Sequence, residues 1–166
     1  MKQRHMFLLP QRYLRVLAMG LALCAGGLAR ADNPTPYPGT LSIKSAYGFG
    51  ETVARLEESI NLNKMGLVAK ASASAAAAGR GVKIAGNTVL MVFRNDYAVR
   101  MLAASVPAGI EAPIRIYVTE DADGKAAITY RTPSAMFAPY GNSQLDAMAV
   151  ELDPVFDRIV RESATK

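Results

Sequence analysis

The sequence of 166 residues contains a single cysteine, a single histidine and no tryptophan. Both reactive side chains, Cys24 and His5, lie within the first 31 residues. A segment without imidazole or thiol cannot build a Ser-His-Asp triad, a thiol nucleophile, a disulfide, a histidine-ligated haem or the usual zinc and blue-copper sites. The chain beyond residue 31 must therefore rely on its hydrophobic core for stability. It also lacks the side chains on which most common catalytic mechanisms depend.

The first 31 residues also lack acidic side chains, although they carry five of the basic ones. An apolar stretch, Val16–Ala29, follows those charges and is shorter than a membrane-spanning helix requires. It ends at Ala29-Arg30-Ala31, the small-x-small pattern that signal peptidase accepts. We expect residues 1–31 to be a signal peptide, removed on export to the periplasm or the exterior. A lipoprotein signal through Cys24 is less favoured, because a bulky leucine precedes that cysteine.

Removing the predicted signal peptide also removes the apparent basicity. The whole chain has 19 Lys and Arg against 14 Asp and Glu, so the remainder has 14 of each and no net charge. A nucleic-acid partner would require an excess of cations to displace counterions from phosphates. We therefore expect no nucleic-acid binding, and no transmembrane segment in the mature form.

The remaining chain is expected to consist of a Pro-rich lead-in, 32–40, and a single domain, 41–163. Hydrophobic periodicity predicts alternating strands and helices along that domain. The predicted elements are a strand at 41–47, a helix at 51–64, a weak strand at 66–72, a helix or loop at 71–79, a strand at 88–93, a helix at 97–105, a hairpin of 113–120 and 125–131, a short helix from Thr132, and a helical tail that restarts at Pro154. The predicted order combines an antiparallel hairpin with helices that connect the other strands. It therefore favours an α+β two-layer sandwich with helices packed on a mostly antiparallel sheet.

Two of these segments carry the fold prediction. Ile114, Ile116 and Val118 alternate with polar residues before an Asp-Gly pair, which is typical of a β-hairpin. Thr88–Phe93 is apolar at nearly every position, which predicts a central strand that is covered on both faces or buried in a dimer.

Several apparent motifs are better explained by structure than by chemistry. Gly48-Phe49-Gly50 lacks the third glycine of a dinucleotide loop, and Asp121–Gly124 has a tyrosine where an EF-hand loop needs its last glutamate. Five methionines could in principle bind Cu(I), but they share no spacing, so core packing is favoured. They are Met65, Met91, Met101, Met136 and Met148. We predict no metal site and no cofactor.

The leading hypothesis is a non-catalytic domain that binds a small apolar or aromatic molecule, or a protein partner, in a groove beside the hairpin. Its candidate ligand-binding residues are Asn95, Glu120, Tyr130 and Tyr140, since tyrosine offers both a ring and a hydroxyl group. Self-association as a homodimer through a sheet edge is also expected. The alternatives are an enzyme that uses Glu120, Tyr130 and Lys125, and a purely structural envelope protein.

Several sequence motifs occur in a fixed order along the domain. They are Ser45–Val53 with Arg55-Leu56-Glu57, Val89–Asn95, Ala112–Val118 with Glu120–Lys125, and then Tyr130 and Pro133. Through these motifs the chain resembles the family called domain of unknown function 302 over about Leu41–Gly141. The resemblance implies a small, often exported α+β domain with no assigned activity. Members frequently carry two histidines and a proline at places where this chain has Ala73, Tyr140 and Asp96, so any metal or haem role of those imidazoles is not expected here.

Overall fold

The computed structural model describes residues 37–165, so the predicted signal peptide lies outside the described residues. Five strands form one sheet, and every neighbouring pair is antiparallel. The strands are β1 (Thr40–Gly48), β2 (Gly66–Ala71), β3 (Asn87–Phe93), β4 (Ile114–Glu120) and β5 (Lys125–Arg131). Their order across the sheet is β1-β5-β4-β3-β2, which places the hairpin of β4 and β5 in its middle.

Helices connect the strands and close the chain. They are α1 (Phe49–Leu62), α2 (Ala73–Ala78), α3 (Asn95–Ala104), α4 (Pro133–Phe137) and α5 (Ser143–Ala164), with 3-10 turns at Val106–Glu111 and Ala138–Tyr140. Side-chain hydroxyls cap two of them, since Ser72 accepts a hydrogen bond from the Ala75 amide and Thr132 accepts one from the Ala135 amide. The α+β two-layer sandwich predicted from the sequence is confirmed.

The hydrophobic core lies between the sheet and the long helices α1 and α5. Alternate residues of β3, β4 and β5 are buried on one side of the sheet, which we call the helix-covered face. Leu56 and Ile60 of α1 and Phe156 of α5 are fully buried against it. Burial of that many apolar side chains supplies the main driving force for folding in a domain that has no disulfide.

The opposite side of the sheet, on which Ser42, Val89, Tyr117 and Thr129 lie, is called the open face. Its side chains are exposed or half-buried, and Tyr117 is 41% exposed. This differs in part from the prediction for β3. The strand has neighbours on both sides, but only its Thr88, Leu90 and Val92 side is buried.

The helical tail also differs from the prediction of a restart at Pro154. Residues Ser143–Ala164 form one continuous helix with Pro154 inside it. Proline removes one hydrogen bond from a helix, but Leu152 and Phe156 on either side of it are buried in the core. Tertiary packing thus holds the helix together where local propensity would break it.

Candidate functional site

A concave pocket lies on the open face, beside the end of the hairpin where β4 begins and β5 ends. We call it the hairpin pocket, and it encloses about 210 Å³. Its lining residues come from three strands, a 3-10 turn and a short helix. They are Thr40, Glu111, Arg115, Tyr117, Thr129, Tyr130, Arg131 and Met136.

The floor of the pocket is set by strand register. Tyr117 of β4 stands directly opposite Thr129 of β5, and Ser42 of β1 stands opposite Thr129 on its other side. The hydroxyls of Ser42 and Thr129 form a hydrogen bond of 2.9 Å, which fixes the position of the threonine methyl and hydroxyl groups. An aromatic ring and a small amphipathic side chain therefore lie side by side on neighbouring strands of the sheet.

Two guanidinium groups stand at one end of this floor. Extending the register of Ile116 and Tyr130 by one residue places Arg115 beside Arg131 on the open face. Nη2 of Arg131 donates a hydrogen bond of 2.8 Å to the carbonyl oxygen of Ala135 in α4. Arg131 is thus held by the helix that follows its strand, whereas Arg115 is exposed.

Tyr140 and Glu111 meet at the wall of the pocket. The Tyr140 hydroxyl donates a hydrogen bond of 3.0 Å to Oε1 of Glu111. Partial desolvation and this bond to a carboxylate raise the pKa of Tyr140, so its hydroxyl stays protonated and available as a donor near neutral pH. Tyr140, one of the predicted ligand-binding residues, therefore acts on the pocket through Glu111.

Tyr130 contributes to the pocket from within the core. Its side chain is 3% exposed, and its ring stacks on Phe156 with 6.3 Å between centroids. Burial, reinforced by the nearby carboxylates of Asp157 and Asp153, raises the pKa of Tyr130 to about 12. A phenol with that pKa stays protonated near neutral pH, which makes it a poor general base.

The other candidate residues lie away from the hairpin pocket. Asn95 is exposed at the first position of α3. Oε2 of Glu120 accepts a hydrogen bond of 2.7 Å from the Gly86 amide and so tethers the loop before β3. Nζ of Lys125 donates a hydrogen bond of 3.0 Å to the Ala46 carbonyl oxygen, at the far end of β5 from Tyr130. Of the candidates, Tyr130 is thus part of the pocket lining and Tyr140 contacts that lining through Glu111. The structure does not bring Glu120, Tyr130 and Lys125 together.

The places where family members often have histidine or proline hold structural contacts here. The Ala73 amide donates a hydrogen bond of 3.1 Å to Oδ1 of Asn87, at the start of α2. Asp96 receives a hydrogen bond of 2.7 Å from Arg94, and this bond lowers the pKa of the carboxyl group. Within residues 37–165, no group of three or more Asp, Glu, His or Cys side chains could hold a metal ion.

Sequence reasoning missed Glu111, Arg115 and Arg131. The two arginines are 16 positions apart in the numbering and share no motif, so only the pairing of β4 with β5 places them together. The Asp-Gly pair predicts the hairpin but not its register, because a two-residue turn at Asp123-Gly124 would set Arg115 against Thr132. The observed pairing of Glu120 with Ala126 sets Arg115 against Arg131 instead.

Two further cavities are less suited to a ligand. A polar groove of about 420 Å³ runs between α1 and α5, but Ser59 and Asn63 already donate hydrogen bonds to Glu162, one of its two carboxylates. An apolar cavity beneath α3, partly lined by Met65, Met101 and Met148, has a volume of about 30 Å³, which is space for a single water. The hairpin pocket is larger than that cavity and offers a small organic molecule both aromatic and charged side chains.

No helix among residues 37–165 combines the length and the apolar character that crossing a bilayer requires.

Comparisons with known proteins agree with this fold. The model of the family described as domain of unknown function DUF302 matches residues 41–163. No curated protein is significantly similar to the chain. A solved structure, the uncharacterized conserved protein DUF302 from Bacillus stearothermophilus, superposes with a TM-score of 0.69 at 19% sequence identity, covering 76% of this chain and 99% of that one. At that identity the likeness concerns the fold alone.

Proposed function

This chain belongs to the family described as domain of unknown function DUF302, and we propose that it is a binding module that holds a small aromatic molecule in the hairpin pocket without reacting with it. The observation that carries this proposal is the pocket floor, where the ring of Tyr117 lies beside Thr129 on a rigid sheet. Ligand sites typically combine such apolar surface with a few fixed polar groups.

The size of the pocket suits a ligand with one ring. A buried cavity of about 150 Å³ is enough to hold benzene, whereas the hairpin pocket has a volume of about 210 Å³. That volume accommodates a six-membered ring with one small substituent. The proposal is therefore a single-ring ligand.

The side chains around the pocket support binding more than catalysis. A carboxylate-based enzyme needs one group that gives a proton and another that takes it. Glu111 is the carboxylate of the lining, and the hydroxyl of Tyr140 occupies its Oε1. Tyr130 keeps its proton because its pKa is about 12.

The ligand-binding proposal is tested by nuclear magnetic resonance titration of the ¹⁵N-labelled protein with benzyl alcohol, an uncharged single-ring probe. We expect saturable shifts confined to amides around Tyr117 and Thr129. Tyr117→Ala should weaken binding about tenfold, because it removes the aromatic contact. Val89→Ala is the matched control, since Val89 faces Tyr117 across β3 and β4 but does not line the pocket. Absence of saturable shifts with benzyl alcohol, benzamide and benzoate alike would refute the proposal.

Export and self-association are part of the same proposal. An exported binding module would meet small molecules from outside the cell, and the predicted signal peptide supports that location. Self-association through a sheet edge is a weaker component, because both edge strands, β1 and β2, contain a register shift that interrupts a flat pairing edge. Native mass spectrometry of the exported form measures both the mature mass and the number of copies.

A further inference from the structure

Arg115 and Arg131 form a like-charge pair on neighbouring strands of the open face. Like charges directly opposite one another in a sheet are destabilising. The ion pairs within residues 37–165 involve other arginines and lysines. They are Lys70–Glu57, Arg94–Asp96, Arg100–Glu151 and Arg161–Asp157. The pocket therefore carries two guanidinium charges that the described part of the domain leaves without a salt bridge.

Arg131 is also held in a fixed orientation. Its Nη2 donates a hydrogen bond to the Ala135 carbonyl oxygen, and its Nε is shielded from solvent, so a ligand cannot reach that atom. Its Nη1 makes no hydrogen bond within the described residues. Because Arg131 lines the pocket, Nη1 is the donor that an acceptor on a bound ligand would meet.

We propose that Arg115 and Arg131 together bind a carboxylate group, so that the ligands of the hairpin pocket are single-ring aromatic carboxylates. This inference rests on the proposed function, because it assigns the charge of the molecule whose ring lies on Tyr117. A guanidinium group is planar and presents parallel N–H donors, which match the two oxygens of a carboxylate. A bound carboxylate also removes the repulsion between the two arginines.

Charge elsewhere on the domain favours the approach of an anion to this face. The strands place Lys44, Arg115, Lys125 and Arg131 on the open face, and that face of the strands carries no carboxylate in the described residues. Helices α1 and α5, on the other side of the sheet, together carry eight carboxylates and three arginines. A neutral domain with this separation attracts anions to the sheet side and repels them from the helical side.

The lining also distinguishes a carboxylate from a phosphate. Glu111 places a negative charge at the wall of the same pocket, within reach of the Tyr140 hydroxyl. A singly charged carboxylate is repelled by it less than a phosphate, which carries about two charges near neutral pH. Single-ring carboxylates therefore fit the pocket better than sugar phosphates or inorganic phosphate.

The test compares benzoate with benzamide, which has nearly the same shape and no charge, by calorimetric titration of the full protein. We expect benzoate to bind about tenfold more tightly, and its affinity to fall as salt rises while that of benzamide does not. Arg115→Gln should remove the preference for benzoate. Lys44→Gln is the matched control, because it removes the same charge from the open face at a position outside the pocket.

Each outcome separates this inference from the proposed function. Equal affinity for benzoate and benzamide overturns the carboxylate assignment and leaves aromatic binding standing. Failure of both compounds, together with benzyl alcohol, overturns both proposals. Inorganic phosphate that displaces benzoate at equal concentration shows a general anion site and also overturns the assignment. Arg115→Gln should keep or raise the melting temperature, because the like-charge pair is gone, so its loss of benzoate binding cannot be attributed to unfolding.

Discussion

Tyr140 donates a hydrogen bond to Glu111 and thereby ties the turn after α4 to the turn before β4. The two residues are 29 positions apart, so the bond links distant parts of the chain at the edge of the hairpin pocket. It also occupies an oxygen of Glu111, the carboxylate that lines the pocket together with Arg115 and Arg131. The bond from Tyr140 thus limits the extent to which Glu111 can neutralise the charges of Arg115 and Arg131.

Tyr140→Phe should weaken benzoate binding and leave benzamide binding unchanged. Without the hydroxyl, Glu111 is free to turn toward the arginines and compete with the ligand carboxylate. The two affinities are measured by calorimetric titration, as for the parent protein. The explanation fails if both ligands lose affinity to the same extent, because the hydroxyl would then support the shape of the pocket instead of its charge.

Phe156→Ala should lower the free energy of unfolding by about 3–5 kcal/mol, because it leaves a cavity beneath the stacked ring of Tyr130. Urea denaturation followed by circular dichroism measures the change. Val150→Ala on the same helix is the control, since Val150 is 66% exposed and should shift the free energy by no more than about 0.5 kcal/mol. Similar losses for the two variants would mean that α5 does not pack as described.

Gly39→Ala should destabilise the domain more than Gly124→Ala. Both glycines have a positive φ, 79° and 77°, so alanine is strained at either position. A Cβ atom at Gly39 would in addition collide with the Cβ of Ala135, whereas one at Gly124 would meet no atom within 4 Å. The difference in melting temperature between the two variants measures the steric contribution to the destabilisation by Gly39→Ala.

Ala135→Gly provides the matching rescue, because it removes the atom that the new side chain would meet. Combined with Gly39→Ala, it should restore part of the lost stability, and a double-mutant cycle gives the coupling between the two sites. Strictly additive losses would show that the two positions do not touch.

Stability should decrease in acid partly through Glu162. Hydrogen bonds from Asn63 and Ser59 hold the pKa of this carboxyl group below its usual value of 4.5. A lowered pKa in the folded state contributes stability above the unfolded-state pKa, and this contribution is lost as the pH falls through the folded-state pKa. The melting temperature of Glu162→Gln should therefore depend less on pH between about 5 and about 3 than that of the parent.

Asn63→Ala tests the cause of that shift. Removing the Asn63 donor should raise the pKa of Glu162 toward its usual value, as measured by titration of its carboxyl carbon resonance. An unchanged pKa would assign the shift to other charges on α5, such as Arg158.

The exported protein should begin at Asp32. Expression of the full chain in a bacterium with an intact secretion pathway, followed by intact-mass measurement of the periplasmic fraction, tests this. A protein that retains residues 1–31 would contradict the export prediction and would restore His5 and Cys24 to the functional chain.

The elements that could be predicted from the sequence are those with a local physical cause. The hairpin was predicted at 113–120 and 125–131 and is found at Ile114–Glu120 and Lys125–Arg131, because Gly124 adopts the positive φ that its turn requires. Helix α1 begins two residues before the predicted Glu51, since Gly48 caps it through its extended backbone and no side chain marks the boundary.

The features that could not be predicted depend on contacts between distant segments. Pro154 remains inside a helix because the core packs on both sides of it, and no local pattern reports that packing. The hairpin pocket unites a turn, three strands and a short helix, so no local motif links its charged residues. The chemistry of tyrosine marks Tyr130 and Tyr140 as candidates, but their roles depend on Phe156 and Glu111.

The separation of charge between the two layers has a consequence for handling the protein. A domain of zero net charge with cations on its sheet and carboxylates on its helices carries a large electric dipole moment. It should bind to both cation and anion exchangers at low ionic strength, presenting opposite sides to each resin. Its chromatography would then be governed by orientation instead of by isoelectric point.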